Sequence, residues 1–215
     1  MSTRSTLIVS SILIVIGLLA GLLLWNRLPE QLPAHWNVND QVDGYMPKLQ
    51  GVLLMPLVTA GMLLLFMVVP AIDPLKANIA RFRTAFNLFI LVLIAFMLYI
   101  HGLTLAWGLG YHFGMSRAML PLIGVVFLVT GWMMRSAKRN FFIGIRTPWT
   151  LSSDRVWEQT HRMGSILFIL CGLLAMLSPL FGGVTAFWLL LVPVIVSSVF
   201  LMVYSYVLYR AETRS

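Results

Sequence analysis

Long runs without a charged residue dominate the chain, and short polar segments separate them. A helix needs roughly 20 apolar residues to cross the hydrocarbon core of a bilayer, and each run is close to that length. No water inside the bilayer can satisfy a bare backbone, so each run must be helical. The pattern predicts an all-α membrane protein, a six-transmembrane-helix bundle, with spans at Thr6–Trp25, Gly51–Ala71, Ala85–Trp107, Ala118–Met134, Met163–Phe181 and Val184–Leu208.

Lys and Arg are unevenly distributed between the two sets of loops that six spans create. The N-terminus, the second and fourth loops and the C-terminus hold 12 of these residues, and the first, third and fifth loops hold 3. Because loops rich in Lys and Arg stay on the cytoplasmic side, both termini are predicted to be cytoplasmic. The first run leads into Trp25-Asn26-Arg27 rather than a cleavage site of small residues, so we expect a retained anchor.

Composition supports a membrane protein and excludes several soluble classes. The chain is 60% hydrophobic and 10% charged, whereas a soluble domain carries about 25% charged residues. The net charge of +8 lies in short loops rather than on a basic soluble face, so we expect no direct nucleic-acid binding. Cys171 lies inside an apolar run and is expected to be a packing residue.

The fourth loop, residues 135–162, is the more distinctive of the two loops that are long enough to carry chemistry. Asn140 is expected to end the fourth helix, and Gly144 allows a bend. Pro148 disfavours helical backbone at the residue before it, so Thr147 is expected to be extended. These residues predict a turn at the cytoplasmic face.

A new helix is predicted in the second half of this loop, running on into the fifth span. One of three residues is expected to cap it: Ser152, Ser153 or Asp154. Glu158 lies on one helical face with Arg155 and Arg162, so it can pair with either. Glu158 and His161 have the spacing of a di-iron carboxylate bundle, but such a site needs the motif twice. We therefore expect no metal and no cofactor.

Arg146 and Trp149 offer a planar fork of donors beside an aromatic platform. This pair suits a carboxylate, a phosphate headgroup or a peptide backbone. The alternative is that Arg146 contacts lipid phosphate and Trp149 lies in the headgroup belt, so that both anchor the loop at the interface. The residues alone leave both interpretations open.

The first loop, residues 26–50, is punctuated by Pro and Gly into turns. We expect it to form a compact, turn-rich cap over the outer helix ends. His35, Asp40 and Asp43 could ligate a cation, although no spacing makes such a site specific. The candidate residues of this loop are Pro33, His35, Trp36, Asp43, Gly44 and Lys48.

His101 is the titratable group that lies inside a predicted span. An ionisable residue in a membrane is a functional candidate by default. It lies near the outer end of its helix, however, where Tyr99, Thr104 or water could satisfy it, so a structural histidine is the favoured interpretation. Gly17 and Gly21 permit close helix approach, and we expect them to pack within the bundle.

The segment from Asn140 to His161 (NFFIGIRTPWTLSSDRVWEQTH) strongly resembles the signature of the SdpI family. The outer pattern Leu-Pro-Ala-His-Trp at 32–36, with Asp-Gly at 43–44, resembles an uncharacterised membrane domain often found at the N-terminus of that family. Together they divide the chain into an N-terminal two-helix unit, 1–84, and an SdpI-like four-helix unit, 85–215. The chain departs from the family pattern at Asp40 and Val42, where Gly and Pro are common.

This resemblance implies a bacterial plasma-membrane protein that confers immunity to a secreted antimicrobial peptide toxin. It also implies a signalling role, in which a cytosolic repressor is captured at the membrane. The expected partners are membrane lipid, a peptide toxin on the outer face and a cytosolic regulator on the inner face. The candidate binding residues of the inner loop are Asn140, Gly144, Arg146, Thr147, Pro148, Trp149, Trp157, Glu158 and His161.

Two other functions remain as alternatives to a non-enzymatic immunity protein. A small transporter or flippase usually has carboxylates within its spans, which are absent here, but helices broken at a proline could supply a site. The candidate prolines are Pro56, Pro121, Pro179 and Pro193. A membrane enzyme would use Arg146, Glu158 and His161 at the inner interface, with Glu158 or His161 as acid or base.

Overall fold

The computed structural model describes residues 1–181 and 183–214. Within these residues, six helices are long and apolar enough to cross a membrane, which confirms the predicted bundle. Two short helices, α3 and α6, lie between them. The elements in chain order are α1 (Thr3–Leu23), β1 (Gln31–Trp36), β2 (Val42–Pro47), α2 (Lys48–Ile72), α3 (Lys76–Arg81), α4 (Arg83–Gly108), α5 (Met115–Ser136), α6 (Pro148–Ser152), α7 (Asp154–Leu177) and α8 (Gly183–Glu212).

The strands β1 and β2 lie at one end of the bundle. We name this end the outer face and the opposite end the inner face, which follows the predicted orientation; the orientation itself stays a prediction. Several spanning helices extend beyond the apolar runs, because polar residues end an apolar run while the helix itself continues through them. The clearest case is α7, which begins at Asp154 on the polar side of the run that starts at Met163.

The spanning helices form two groups. In the first, α1, α2 and α4 pack on one another; in the second, α7 packs against α5 and α8, and the contact of α4 with α5 joins the groups. The α5–α7 interface is the most extensive, and small residues permit its close approach. A Cβ atom on Gly124 would lie 2.6 Å from the carbonyl oxygen of Gly172. The division of the chain into an N-terminal unit, 1–84, and an SdpI-like unit, 85–215, stays a prediction.

The last two helices pack against each other, as expected for consecutive spans with a short connection. A 3₁₀ turn at Ser178–Leu180 follows α7. Gly182, on which the prediction of a tight turn partly rested, lies outside the described residues.

The outer loop contains an antiparallel β-hairpin that the sequence analysis did not predict. Pro33 and Gly44 are residue types that weaken strands, and they pointed to turns instead. The pairing is irregular between Pro33 and His35, which is how a strand accommodates a proline. Leu32 is fully buried, and it packs against Gly51 of α2 and Gly108 of α4. The hairpin is therefore fixed to two spanning helices.

Candidate functional site

Asn140 folds the inner loop upon itself. Its side-chain oxygen accepts hydrogen bonds from the backbone N–H groups of Phe142 (3.0 Å) and Ile143 (2.6 Å). Its amide nitrogen donates to the carbonyl oxygens of Lys138 and Ile143, both at 2.9 Å. The fourth spanning helix has already ended at Ser136. The predicted role of Asn140 as the helix stop is thus wrong; it builds the turn that follows.

The next turn brings Gly144 against α7. Gly144 has a φ of +110°, a backbone conformation that glycine adopts at little cost. A Cβ atom there would collide with the imidazole of His161. The predicted bend is present, and glycine is required both for the backbone conformation and for the close approach.

Thr147 and Pro148 start the short helix α6. Thr147 is extended, as predicted, and its side chain accepts the N–H of Thr150 while the Thr150 hydroxyl accepts the N–H of Thr147. Such a reciprocal pair satisfies backbone donors that a helix start leaves free. The Thr147 hydroxyl also lies 3.1 Å from that of Ser205 on α8. Ser153 then caps α7 by accepting the N–H of Val156, which confirms one of the three predicted caps.

Trp157 and His161 are buried beneath this loop, with 0% and 1% exposure. Their rings stack with centroids 4.0 Å apart, and the Trp157 indole N–H donates to the Ala137 carbonyl at 2.9 Å. His161 Nε2 accepts the N–H of Ile145 (3.0 Å), so Nδ1 carries the proton that is donated to the Trp157 carbonyl (2.9 Å). Both residues hold the loop on α7 and do not form an exposed surface.

Glu158 is exposed at the edge of this structure. It pairs with Lys138 at 2.6 Å rather than with Arg155 or Arg162, as the sequence analysis expected. The adjacent Arg139 pairs with Asp154 at 2.8 Å. The loop folds back so that the residues after α5 lie beside the first turn of α7, and this proximity selects the partners.

Arg146 and Trp149 are also accessible, as are the candidate residues Gly144, Pro148 and Glu158. Arg146 is exposed, and its Nη1 donates to the Phe141 carbonyl at 2.8 Å. Trp149 is half-buried and packs on Tyr206 of α8, with ring centroids 5.1 Å apart. One edge of the Arg146 guanidinium stays available for a ligand, and α8 supports the Trp149 platform.

Asp73 and Asn78 are inner residues that the sequence analysis missed. Asp73 is 2% exposed; its carboxylate accepts the N–H of Leu75 at 2.6 Å and that of Phe141 at 2.9 Å. Asn78 donates to the Arg139 carbonyl at 2.8 Å. The available signal was an acidic residue in an otherwise basic loop, where a carboxylate needs a specific partner.

On the outer face, the side chains of His35 in β1 and Asp43 in β2 contact each other across the hairpin. His35 Nδ1 is 2.5 Å from the Asp43 carboxylate, and both side chains are exposed. Lys48 is nearly buried and pairs with Glu30 at 2.8 Å. Its ammonium also lies 5.5 Å from the centroid of the Trp25 ring.

Asp40 lies apart from His35 and Asp43, and its side chain bonds to the start of α5. It has a φ of +61°, the left-handed conformation that glycine favours, at a position where the resembling family often has Gly. Its carboxylate accepts the N–H and the hydroxyl of Ser116, both at 2.7 Å. Asp40 therefore does not converge with His35 and Asp43 on one cation.

Trp36 packs edge-on against Trp107 of α4, with centroids 5.7 Å apart. Pro33 is buried within β1, and a Cβ atom on Gly44 would lie 3.2 Å from the Cβ of His35. The outer candidates therefore divide into residues that build the hairpin and the exposed pair His35 and Asp43.

His101 is buried between α4 and α1. Its Nε2 lies 3.2 Å from the Gly17 carbonyl, a partner that the sequence analysis did not name. Cβ atoms on Gly17 and Gly21 would come within 3.8 Å and 3.6 Å of the His101 ring. The two glycines pack within the bundle, as expected, and they make room for the histidine.

The three residues of the enzyme alternative do not surround a common hydrophilic pocket. His161 uses both ring nitrogens on backbone groups, Glu158 is paired with Lys138, and Arg146 is exposed. A general acid or base must reach a substrate proton. This geometry is suited to binding at the loop surface.

Comparison with known proteins places this geometry in context. Residues 136–205 match the SdpI/YfhL protein family, and residues 12–60 match a domain of unknown function (DUF1648). The chain is 28% identical over 204 residues to the immunity protein SdpI of Bacillus subtilis (strain 168). The aligned region covers 94% of this chain and 95% of that protein. No solved structure matches the chain. The resemblance predicted from the two loops is confirmed.

Proposed function

Because the chain is an SdpI-type membrane protein, we propose that it protects the bacterium that makes it against a secreted antimicrobial peptide toxin. The observation that carries this proposal is similarity to an immunity protein along almost the whole chain. The similarity includes both faces of the membrane, since one family match covers the hairpin and the other covers the inner loop.

The outer hairpin is the surface we assign to the toxin. It is held at three points: Leu32 packs between α2 and α4, Lys48 pairs with Glu30, and Asp40 bonds to Ser116. A rigid surface loses little conformational entropy when it binds a ligand. Tyr45 on β2 is 60% exposed, and it supplies an aromatic contact of the kind that is enriched in interfaces.

The inner loop is the surface we assign to a cytosolic regulator. Arg146 presents guanidinium donors that are suited to a carboxylate, and Trp149 lies close to it in sequence on a platform supported by Tyr206. The buried residues Asn140, Trp157 and His161 hold this surface in place. In this proposal the protein binds its partners and catalyses no reaction.

Expression in a toxin-sensitive bacterium tests the proposal. We expect the wild-type chain to raise survival against one or more members of a panel of secreted antimicrobial peptides. Tyr45→Ala should reduce protection, whereas Leu64→Ala, at an exposed apolar position on α2, should leave it unchanged. Unchanged killing by the whole peptide panel, in cells whose membranes contain the protein, would contradict immunity.

The relay is tested separately from protection. Arg146→Ala should abolish release of a repressor-controlled reporter while membrane insertion and toxin protection are retained. Arg214→Ala, near the C-terminus, is the matched control, because it also removes one positive charge and should leave the reporter response unchanged. A normal reporter response in the Arg146→Ala strain would refute the assignment of this residue.

A further inference from the structure

An apolar crevice separates the two helix groups in the inner half of the bundle. Its volume is about 320 Å³, within the range of about 300–1,000 Å³ that is usual for sites that bind small molecules. The helices α2 and α4 supply one wall, and α5 and α7 supply the other. Residues 142–145 of the inner loop form its floor. Six of the lining residues are Phe66, Phe86, Phe89, Thr130, Phe142 and Phe168.

The crevice opens sideways, toward the membrane. Phe66, Phe89, Thr130 and Phe168 are each partly exposed, although they face one another across the two walls. All four lie on spanning helices, so the medium at the opening is lipid rather than water. A peptide toxin that arrives at the outer face would have to cross the membrane to reach this site. The molecules that reach it directly are phospholipids of the inner leaflet.

Positive charge lies next to the floor of the crevice. Ile145 lines the crevice and Arg146 follows it, exposed and bonded at one guanidinium nitrogen to the Phe141 carbonyl. Phe141 and Phe142 are exposed beside it. An arginine next to exposed phenylalanine rings suits the boundary between headgroups and acyl chains, because the guanidinium can stay with the headgroups while the rings contact the chains, and a guanidinium suits phosphate.

We propose that the crevice binds one acyl chain of an anionic phospholipid, with the phosphate of the headgroup on Arg146. The acyl chain lies between Phe66 and Phe89 on one wall and Phe168 on the other. Bound lipid would support residues 142–145 from within the membrane. This site shares Arg146 with the surface that we assign to a regulator, but its test uses purified protein and lipid alone, so either proposal can fail without the other.

Native mass spectrometry of the purified full chain tests this site. The protein in mild detergent is incubated with phosphatidylglycerol or phosphatidylcholine of equal chain length, with diacylglycerol, or with glycerol phosphate. We expect one phosphatidylglycerol retained per chain, about tenfold tighter than phosphatidylcholine, because both carry the phosphate but the choline cation of phosphatidylcholine is repelled by Arg146. Diacylglycerol should bind more weakly, and glycerol phosphate should not displace the lipid.

Two variants of α5 locate the lipid. Thr130→Phe fills the crevice and should reduce retained phosphatidylglycerol by about tenfold. Val125→Phe adds the same ring at an exposed position of the same helix and should bind like the wild type.

Arg146→Gln should remove the preference for phosphatidylglycerol while phosphatidylcholine still binds. Phe142→Ala, at a partly exposed floor position, should also weaken retention and serves where Thr130→Phe does not fold.

Three outcomes overturn the proposal. Equal retention by Thr130→Phe and Val125→Phe would show lipid bound around the bundle rather than in the crevice. Full displacement by glycerol phosphate would show a headgroup site alone. The crevice would be assigned to a peptide if an apolar peptide displaced the lipid from the wild type and Arg146→Gln left the preference for phosphatidylglycerol unchanged.

Discussion

Replacement of Trp157 by Phe tests one buried hydrogen bond of the inner loop. The substitution keeps an aromatic ring that can stack on His161, but it removes the indole N–H that donates to the Ala137 carbonyl at 2.9 Å. That carbonyl lies at the C-terminal end of α5, where the loop starts. Phenylalanine therefore leaves a buried acceptor without its donor, and it leaves a small gap where the larger indole lay.

The expected cost follows from these two changes. A buried polar group without its partner costs about 1–3 kcal/mol, and the gap adds to this figure. For a chain of 150–250 residues, 1 kcal/mol lowers the unfolding midpoint by roughly 2–4 °C. We therefore expect Trp157→Phe to lower the midpoint by about 2 to 12 °C, on combining those two ranges.

Cys171 provides the assay. Its thiol is 3% exposed, so a thiol-reactive fluorophore reacts with it only as the bundle opens during heating in detergent. Trp132→Phe is the matched control, because Trp132 is 48% exposed on α5 and has no hydrogen bond among the described residues. Equal midpoints for the two variants would refute the structural role of the indole.

Two further predictions use the same thermal assay, and a third uses limited proteolysis. Gly144→Ala should lower the midpoint, because its φ of +110° and its contact with His161 both exclude a Cβ atom; Gly61→Ala, which meets no neighbour within 4 Å, should not. Asp73→Asn should cost about 1–3 kcal/mol, because it replaces one of the two acceptor oxygens of a buried side chain by a donor, whereas Asp154→Asn, at a carboxylate that is 73% exposed, should cost less than about 1 kcal/mol. Asp40→Gly should keep the turn but lose the contact with Ser116, which limited proteolysis of the hairpin would detect as faster cleavage; equal cleavage would contradict it.

The parts of the fold that depend on neighbours in sequence could be predicted. Uncharged runs of spanning length identified the six helices, because the membrane imposes helical hydrogen bonding on them. Pro148 and Ser153 act on the residues next to them, so the extended Thr147 and the start of α7 were predictable. The bend at Gly144 was also expected, although its contact with His161 was not.

Contacts between distant segments could not be predicted in this way. Asp73 and Phe141 lie 68 residues apart, and Asp40 and Ser116 lie 76 residues apart, so no local pattern connects them. Glu158 was assigned to Arg155 or Arg162 by helical spacing, but the fold of the loop brings Lys138 closer. The burial of Trp157 and His161 was missed for the same reason, since polar and aromatic residues in a loop suggest a surface.

Asp40 and Asp73 place a polar connection between the two helix groups at each face of the membrane. Asp40 bonds to the first turn of α5, and Asp73 bonds to the loop after α5. In the sequence, the turn at Gly110 therefore lies between the two partners of each connection. A chain cut at that turn leaves two fragments of three spanning helices, each with half of both connections. We expect the co-expressed fragments to reassemble and co-purify, and Asp40→Ala combined with Asp73→Ala to prevent this. The covalent link between α4 and α5 would then be dispensable for assembly.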